Sequence, residues 1–424
     1  MHLMNHEITD SMSKEAVILK ALVLVPLSLS LLYAIAVQAF LAVWHECSWT
    51  FHISSLTLRL TFMIVALGIS ISMTDEMLEI QLYTFIPVSI LSIIISGVLI
   101  HRTRKLRITG PKPCIPNHLV KGRVFFITGA NAGIGKETAR QLLMAGATVV
   151  MACRSEERAR EAMEDILLDL KAKEGGSEHE LTALKSPVDR LLFLKCDVSN
   201  YDSVRDAVKS FEAMNMPLHV LINNAGIMMG TRTTNNVGHE LTMSANHLGH
   251  FLLTNLLLPK LQKEKDARVV VLTSSTYALA KNGIDLDDLN CEKRNYTMFS
   301  QYAQSKLANI MFGKELAKRE KIRSKDNPVK VFMVHPGLVR TDVVRNMPWY
   351  LKYPNMVFSV VLMTLQKTPE AGAYTSVYTS ALELSTDDSG QYFSNSRAME
   401  TNVHTEDEQK SKDLWDLSCK LVGL

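Results

Sequence analysis

The chain contains 424 residues, which allows two or three domains of ordinary size. Its 46 Lys and Arg residues nearly balance 43 Asp and Glu residues, and the net charge of +3 excludes the strongly basic balance of a nucleic-acid-binding protein. The six cysteines are scattered without a CxxC pair, and the 13 histidines form no metal-ligand pattern. We therefore expect reduced thiols, no metal site and no nucleic-acid partner.

The first 108 residues are predicted to form a helical transmembrane region. Residues 21–44 contain no charge and residues 82–100 form a second apolar run, and about 20 apolar residues are enough to cross the hydrocarbon core. Between them, residues 60–73 are apolar but short, with Arg59 at the edge, so the sequence allows three spans or two. A cleaved signal peptide is the alternative for the first run, but that run is long and no clear cleavage site follows it.

The charges around the last apolar run predict its orientation. Residues 101–107 follow that run and carry four Lys and Arg residues, whereas the connection before it contains Asp75, Glu76 and Glu79. The positive-inside rule therefore places the rest of the chain in the cytosol. The glycosylation sequon at Asn295 should then remain unmodified.

Residues 109–118, rich in Pro and Gly, predict a linker, and residues 119–424 then form one further domain. Short apolar runs alternate there with helical stretches, which predicts an α/β fold with a Rossmann-type, doubly wound parallel sheet. The long polar segment 171–189 is expected to be a surface loop. The predicted strands cover residues 124–128, 147–152, 191–195, 219–222, 268–273 and 329–334.

A glycine-rich turn, TGANAGIG, follows the first predicted strand, and a predicted helix over residues 134–144 follows the turn. Gly129, Gly133 and Gly135 let the chain turn tightly and bring the amides of the helix N-terminus close to a pyrophosphate. The TGxxxGxG spacing differs from GxGxxG, but its place between a strand and a helix favours dinucleotide binding.

The end of the second predicted strand indicates which dinucleotide binds. An NAD site usually has Asp or Glu here, about 20 residues after the glycines, whereas this chain has Arg154 and no acid before Glu156. An Arg suits the extra phosphate of NADP, so we expect NADP(H); a solvated loop charge is the alternative interpretation.

Tyr302 and Lys306, in the motif YAQSK, lie four residues apart and therefore project from the same face of a helix. A nearby cation favours the tyrosinate, so Lys306 is expected to lower the pKa of Tyr302 from its usual value of about 10. A tyrosine that titrates near working pH can exchange the proton of an alcohol/carbonyl couple. Behind a nucleotide-binding turn, this pair indicates a hydride-transfer enzyme.

Together, TGANAGIGKETA, ACR, NHLGHFLLTN and YAQSKLAN resemble the short-chain dehydrogenase/reductase family, and within it the microsomal retinol dehydrogenase group. LHVLINNAGIMM, KTPEAGAYTS and the LWDLSC tail are most similar to the X-linked dehydrogenase/reductase branch. The resemblance implies that Ser275 hydrogen-bonds the substrate oxygen and that Tyr302 exchanges its proton. Lys306 would bind the nicotinamide ribose, and Asn246 would anchor a water relay to it. Ser274 in place of Ser275, and a merely surface role for Asn246, are the alternatives.

The resemblance also implies a cofactor site. Asp197 would contact adenine, Asn224 and Gly226 would shape the cleft, and the HPGLVRT segment would lie beside the nicotinamide carboxamide, with its His335 only structural. The implied cofactor-binding residues are Gly129, Asn131, Gly133, Ile134, Gly135, Arg154, Asp197, Asn224, Gly226, Tyr302, Lys306, Pro336, Gly337, Val339 and Thr341.

By the resemblance, residues 343–366 correspond to the usual substrate lid of this family; they are strongly apolar, and ordinary core packing is the alternative for part of them. Beside a membrane anchor, such a lid favours an apolar alcohol or carbonyl from the bilayer: a retinoid, polyprenoid, steroid or fatty aldehyde. We expect a multi-pass oxidoreductase of the endoplasmic reticulum membrane with its catalytic domain in the cytosol. A nucleotide-sugar epimerase and a non-catalytic NADP-binding scaffold are the alternatives. Many relatives form homodimers through the helices that would carry Asn246 and Tyr302, but no residue decides the oligomeric state.

Overall fold

The computed structural model describes residues 110–174, 186–339 and 366–424. The predicted transmembrane region, Thr341 and residues 343–365 of the apolar lid lie outside these ranges. Across the three described ranges, no helix combines the length and the apolarity that crossing a membrane requires. The predicted spans therefore stay predictions.

An eight-stranded sheet organises the described part of the chain, in the order β3-β2-β1-β4-β5-β6-β7-β8. Neighbouring strands are parallel except for the antiparallel pair β7 and β8. Strand order reverses between β1 and β4, and ligands of such sheets bind at that switch point, beyond the carboxyl ends of the strands. The predicted parallel sheet is confirmed. The strands are β1 (Val124–Thr128), β2 (Thr148–Cys153), β3 (Leu191–Lys195), β4 (Val220–Asn223), β5 (Arg268–Leu272), β6 (Lys330–His335), β7 (Tyr392–Ser394) and β8 (Arg397–Met399).

Helices cover both faces of this sheet. In chain order they are α1 (Asn117–Val120), α2 (Gly133–Met144), α3 (Glu156–Glu174), α4 (Pro187–Arg190), α5 (Tyr201–Ala213), α6 (Leu241–Met243), α7 (Gly249–Leu261), α8 (Met298–Arg323), α9 (Pro369–Ala381) and α10 (Glu408–Val422). Short 3₁₀ turns lie at Ser275–Leu279 and Val403–Thr405, and a π-helical turn lies at Ser244–Leu248.

The hydrophobic core consists of two layers, one on each face of the sheet. Alternation along β1 sends Phe125 into the layer under α2, α3 and α9, and Phe126 into the layer under α5, α7 and α8. Phe126 meets Phe211 of α5 edge to face at 5.4 Å between ring centroids. Burial on both faces explains why the central strands are uninterrupted apolar runs.

The C-terminal helix α10 packs against α7 and α8. Its Trp415 lies 4.9 Å from Phe251 and 5.8 Å from Phe312, measured between ring centroids. The Arg319 guanidinium stands 4.2 Å above the Trp415 ring. These contacts tie the end of the chain to α7 and to α8, the helix that carries Tyr302 and Lys306.

The expectation of a surface loop over residues 171–189 is wrong at both ends. Helix α3 continues to Glu174, and α4 begins at Pro187 behind a Ser186 cap whose Oγ accepts the Val188 N–H. Arg190 is buried because its guanidinium donates to the carbonyls that end α2 and lead into β2. Residues 175–185 lie outside the described ranges.

Candidate active site

Helix α8 brings the Tyr–Lys pair to the carboxyl end of β5. Lys306 Nζ and Asn309 Nδ2 each donate a hydrogen bond to the Leu272 carbonyl oxygen, both at 3.1 Å. Thr273 Oγ1 donates in return to the Lys306 carbonyl, also at 3.1 Å. These bonds fix the register of α8 against the strand end, and with it the position of Tyr302 one turn before Lys306.

The electrostatics of this pair differ from the sequence-based expectation. The Lys306 ammonium lies 5.5 Å from the centroid of the Tyr302 ring, yet the Tyr302 pKa is not lowered. Burial raises the pKa of Tyr302 to about 12, and a hydrogen bond with the Ser274 side chain acts in the opposite direction. Burial also lowers the pKa of Lys306 to about 8, because removal from water penalises the charged form of both groups. Tyr302 is therefore a protonated donor at neutral pH.

Two adjacent serines follow β5 in different surroundings. Ser274 Oγ accepts the Thr276 N–H at 3.3 Å, and its side chain is the one hydrogen-bonded to Tyr302. Ser275 Oγ is buried and has no hydrogen-bond partner among the described residues. Its backbone N–H donates to His335 Nδ1 at 3.4 Å. An unsatisfied buried hydroxyl suits the role of binding a substrate oxygen, so both serines stay candidates.

Asn246 is fully buried in the π-helical turn that precedes α7, so the interpretation of Asn246 as a surface residue is wrong. Its Oδ1 accepts the Ile227 N–H at 2.8 Å, while Nδ2 donates to the Ile227 carbonyl and to Ser305 Oγ, both at 3.0 Å. The amide thus supplies the hydrogen bonds that a neighbouring strand would give to Ile227. π-Helical turns within helices are frequent at functional sites.

Gly226 shows how closely these residues converge. A Cβ added to Gly226 would stand 3.5 Å from Asn246 Oδ1 and 3.6 Å from Lys306 Nζ. Met228, two residues further on, packs against Tyr302. Asn246, Tyr302 and Lys306, predicted from separate motifs, therefore border one site.

The glycine-rich turn and the NNAG segment form a cradle at the ends of β1 and β4. Gly129 has a φ of +64°, and a Cβ at Gly135 would stand 2.4 Å from Asn224 Nδ2. Asn224 Nδ2 donates to the Thr128 carbonyl at 2.7 Å, which holds the two loops together. Helix α2 begins at Gly133, so its first amides have no partner within the helix and face this crevice. The cradle fits a dinucleotide pyrophosphate, because its glycines have no side chains that would keep the backbone amides away from the phosphates.

The predicted adenosine-side residues are also brought together. Arg154 Nη1 lies 3.8 Å from Asp197 Oδ2, across the ends of β2 and β3. The Arg154 side chain remains 65% exposed and is accessible to a phosphate. Asn131 directs its backbone amide to the Cys153 thiol, and Ile134 packs against the core layer under α2.

The predicted nicotinamide-side segment follows β6. Pro336 is buried, and Val339 pairs with Lys367 in an isolated parallel bridge. Because β6 neighbours β5, this segment and the serines leave the sheet at the same edge. Gly337 lies between Pro336 and Val339 in the sequence, and Thr341 is outside the described ranges.

Two histidines contribute contacts that sequence reasoning missed. His335 accepts the Ser275 N–H at Nδ1, a contact consistent with the structural role expected for it, and burial lowers its pKa to about 3, which keeps it a neutral acceptor. His250 has ring nitrogens 2.9 Å from Thr128 Oγ1 and 3.0 Å from the Asn246 carbonyl oxygen. The only sequence signal for either was its place next to a motif.

Comparisons with known proteins decide the family. The family model for short chain dehydrogenases matches residues 123–285. Retinol dehydrogenase 14 of Homo sapiens is 38% identical over 310 residues, covering 72% of this chain and 88% of that protein. The chain belongs to the short-chain dehydrogenase family. Retinol dehydrogenase 12 of Mus musculus, 36% identical over 73% of this chain and 90% of its own length, places it in the retinol dehydrogenase-like group.

The fold agrees with this membership. A crystal structure of an uncharacterized protein from Mycobacterium paratuberculosis is 28% identical, with a TM-score of 0.52, over 72% of this chain and 94% of that one. The protein is accordingly an oxidoreductase that acts on the CH–OH group of an alcohol and uses an NAD(P)(H) cofactor. The finer likeness to the X-linked branch stays a prediction.

Proposed function

We propose that the protein is a membrane-anchored, NADP(H)-dependent oxidoreductase that interconverts an apolar alcohol and its aldehyde or ketone. The main support is the convergence of Asn246, Tyr302 and Lys306 beside the nucleotide cradle, with the buried Met228 and Met298 packed against the Tyr302 ring. Flexible apolar side chains at the proton donor favour an apolar substrate over a nucleotide sugar.

The similarity to retinol dehydrogenases supports the same substrate class. Two relatives named for retinol are similar to this chain over most of their length. We propose a retinoid, polyprenoid, steroid or fatty aldehyde as the carbonyl form of the substrate. All of these are apolar molecules that dissolve in a bilayer.

The preference for NADP(H) rests on Arg154. Its guanidinium is exposed at the carboxyl end of β2, where an NAD site would carry an acid. A planar, permanently charged guanidinium can bind the two oxygens of a phosphate at once. Asp197, 3.8 Å away, would hold the guanidinium near the adenosine.

Membrane attachment rests on the sequence of residues 1–108. Its apolar runs and the basic segment after them favour a multi-pass anchor in the endoplasmic reticulum membrane with a cytosolic catalytic domain. An anchor of this kind would keep the site close to substrates that reside in the bilayer.

The reaction divides between cofactor and protein. When bound, the cofactor supplies or accepts the hydride. Ser275 would hold the substrate oxygen, and Tyr302 would donate the proton that this oxygen gains on reduction. Lys306 would bind the nicotinamide ribose, and Asn246 would anchor the water relay that returns a proton. Tyr302 is protonated at neutral pH, which is the state that proton donation during carbonyl reduction requires.

Turnover by the full-length chain in detergent tests this function. NADPH oxidation is measured against a panel of apolar carbonyls that includes retinal, a polyprenal, a steroid ketone and a fatty aldehyde, with NADH and Tyr302→Phe alongside. We expect turnover with NADPH that the variant loses. If the protein binds NADPH but no carbonyl of the panel is reduced, the scaffold alternative gains support. A preference for NADH would contradict the role of Arg154.

A further inference from the structure

His250 connects the two halves of the site. It lies on α7, one helical turn after Asn246, and is 1% exposed. Its Nδ1 lies 3.0 Å from the Asn246 carbonyl oxygen, and its Nε2 lies 2.9 Å from Thr128 Oγ1. Thr128 ends β1 where the cofactor cradle begins. One imidazole thus contacts both the predicted proton relay and the cofactor turn.

The partners of the ring determine where its proton lies. A carbonyl oxygen only accepts hydrogen bonds, so Nδ1 carries the hydrogen and donates to Asn246. Nε2 is then an acceptor, and the Thr128 hydroxyl donates to it. The same hydroxyl oxygen accepts the N–H groups of Asn224 and Ala225, both at 2.9 Å. Every polar atom of this network is satisfied in a single arrangement.

Burial, together with the charge of Lys306, lowers the pKa of His250 to about 4. The ring is therefore neutral at physiological pH and keeps one nitrogen as an acceptor. The other acceptor for the Thr128 hydroxyl, the Ile222 carbonyl, lies at the longer distance of 3.4 Å. The bond to His250 is accordingly the stronger of the two.

We propose that His250 is a positioning residue for proton transfer: it holds the Asn246 carbonyl through Nδ1–H and locks it, through Thr128, to the cofactor cradle. This inference rests on the proposed function. A carbonyl oxygen has two lone pairs, so the bond from His250 leaves one for the relay water toward Lys306. Without the imidazole, the Asn246 carbonyl and the Thr128 hydroxyl would each lose the hydrogen bond that fixes the distance between the relay and the cradle.

The chain offers a matched control. His247, one turn before His250, is also fully buried, but its Nε2 lies 3.0 Å from Ser418 Oγ in α10. His250→Phe and His247→Phe remove a buried imidazole from the same helical segment. The hydrogen bond of His247 to Ser418 lies outside the cradle, and its ring also interacts with the Asn309 side chain.

The kinetic test uses the full-length chain with NADPH and any carbonyl that it reduces. We expect His250→Phe to lower kcat about tenfold, the size of one lost buried hydrogen bond, and to raise the solvent deuterium isotope effect on kcat. The KM for NADPH should change less than about threefold, since the cradle itself remains. His247→Phe should keep kcat within about twofold. Equal kinetic losses in the two variants would overturn the proposal.

A spectroscopic test does not depend on activity, and it uses the more conservative variant His250→Gln to assign the ring signal. The 15N spectrum of the histidine-labelled full-length chain at pH 7 should contain a neutral ring protonated at Nδ1, absent from His250→Gln. If the signal lost in His250→Gln belongs instead to a ring protonated at Nε2 or to a charged ring, the inference is refuted even if the enzyme is active. If no carbonyl of the panel is reduced, this spectrum still decides the role of His250 separately from the proposed function.

Discussion

Replacing Lys306 by methionine tests whether the site stores a destabilising buried charge. Lys306 is 4% exposed, and burial lowers its pKa to about 8 from its ordinary value of 10.5. Methionine has a similar length and no charge. The Leu272 carbonyl that Lys306 contacts would keep its bond from Asn309 Nδ2 at 3.1 Å, so the substitution leaves no buried oxygen unsatisfied.

The expected magnitude follows from the pKa difference. Each tenfold change in proton affinity is worth about 1.4 kcal/mol, so keeping Lys306 charged in the folded state costs about 3 kcal/mol at pH 7. Losing the hydrogen bond from Lys306 to Leu272 destabilises the folded state by about 1 kcal/mol. We expect Lys306→Met to raise the free energy of unfolding by about 2 kcal/mol at pH 7 while abolishing turnover.

The lowered pKa of Lys306 determines how the free energy of unfolding changes with pH. Between about pH 8 and 10.5 the unfolded chain binds the extra proton and the folded chain does not, so wild-type stability rises with pH in that window. The advantage of Lys306→Met should therefore shrink toward zero by about pH 10. Urea unfolding of the detergent-solubilised chain at pH 7 and at about pH 10 measures both values.

Lys260→Met is the matched control. Lys260 Nζ also donates to a carbonyl, that of Met216 at 2.7 Å, and also lies 5.5 Å from an aromatic centroid, that of Phe211. It is only partly buried, so its replacement should destabilise the protein at pH 7. If Lys306→Met is less stable than the wild type at pH 7, or if its advantage is the same at both pH values, the reasoning about buried charge is wrong.

Three further outcomes are expected. Arg154→Glu should raise the KM for NADPH at least about tenfold and spare that for NADH, whereas equal effects on both would remove the phosphate role. Ser275→Ala should lower kcat/KM about 100-fold or more and Ser274→Ala much less, and the reverse order would identify Ser274 as the substrate-binding hydroxyl. Since Lys306 is charged below its pKa of about 8, kcat/KM for reduction should be level at lower pH and fall above about pH 8, whereas a fall centred below pH 7 would contradict that assignment.

The sequence predicted the strands that are buried on both faces of the sheet. β1 and β3 have the predicted bounds, β5 ends one residue earlier, and β2, β4 and β6 are shifted by one residue; buried parallel strands are predictable because they are continuous apolar runs. β7 and β8 were missed, since each has three residues and β8 is exposed. Their turn, Asn395 and Ser396 with positive φ, lacks the glycine that usually marks a hairpin.

The candidate site was predictable in its parts and not in its electrostatics. The motifs and the family resemblance were enough to propose Asn246, Tyr302 and Lys306; the structure brings Asn246 and Lys306 together at Gly226, with the Tyr302 ring beside Lys306. The upward shift of the Tyr302 pKa could not be predicted, because the helical spacing indicates the distance to Lys306 but not the burial of both groups. The contacts of His250 likewise depend on β1 and α7 meeting, which no local pattern encodes.

The packing of α10 bears on self-association. Phe251 and Phe312 belong to α7 and α8, and both are covered by Trp415 of the same chain. His247 on that side is likewise satisfied by Ser418. This aromatic face is therefore covered by the C-terminal helix of the same chain. Deleting α10 would uncover it, and we expect the shortened protein to oligomerise through the surface that the tail now occupies.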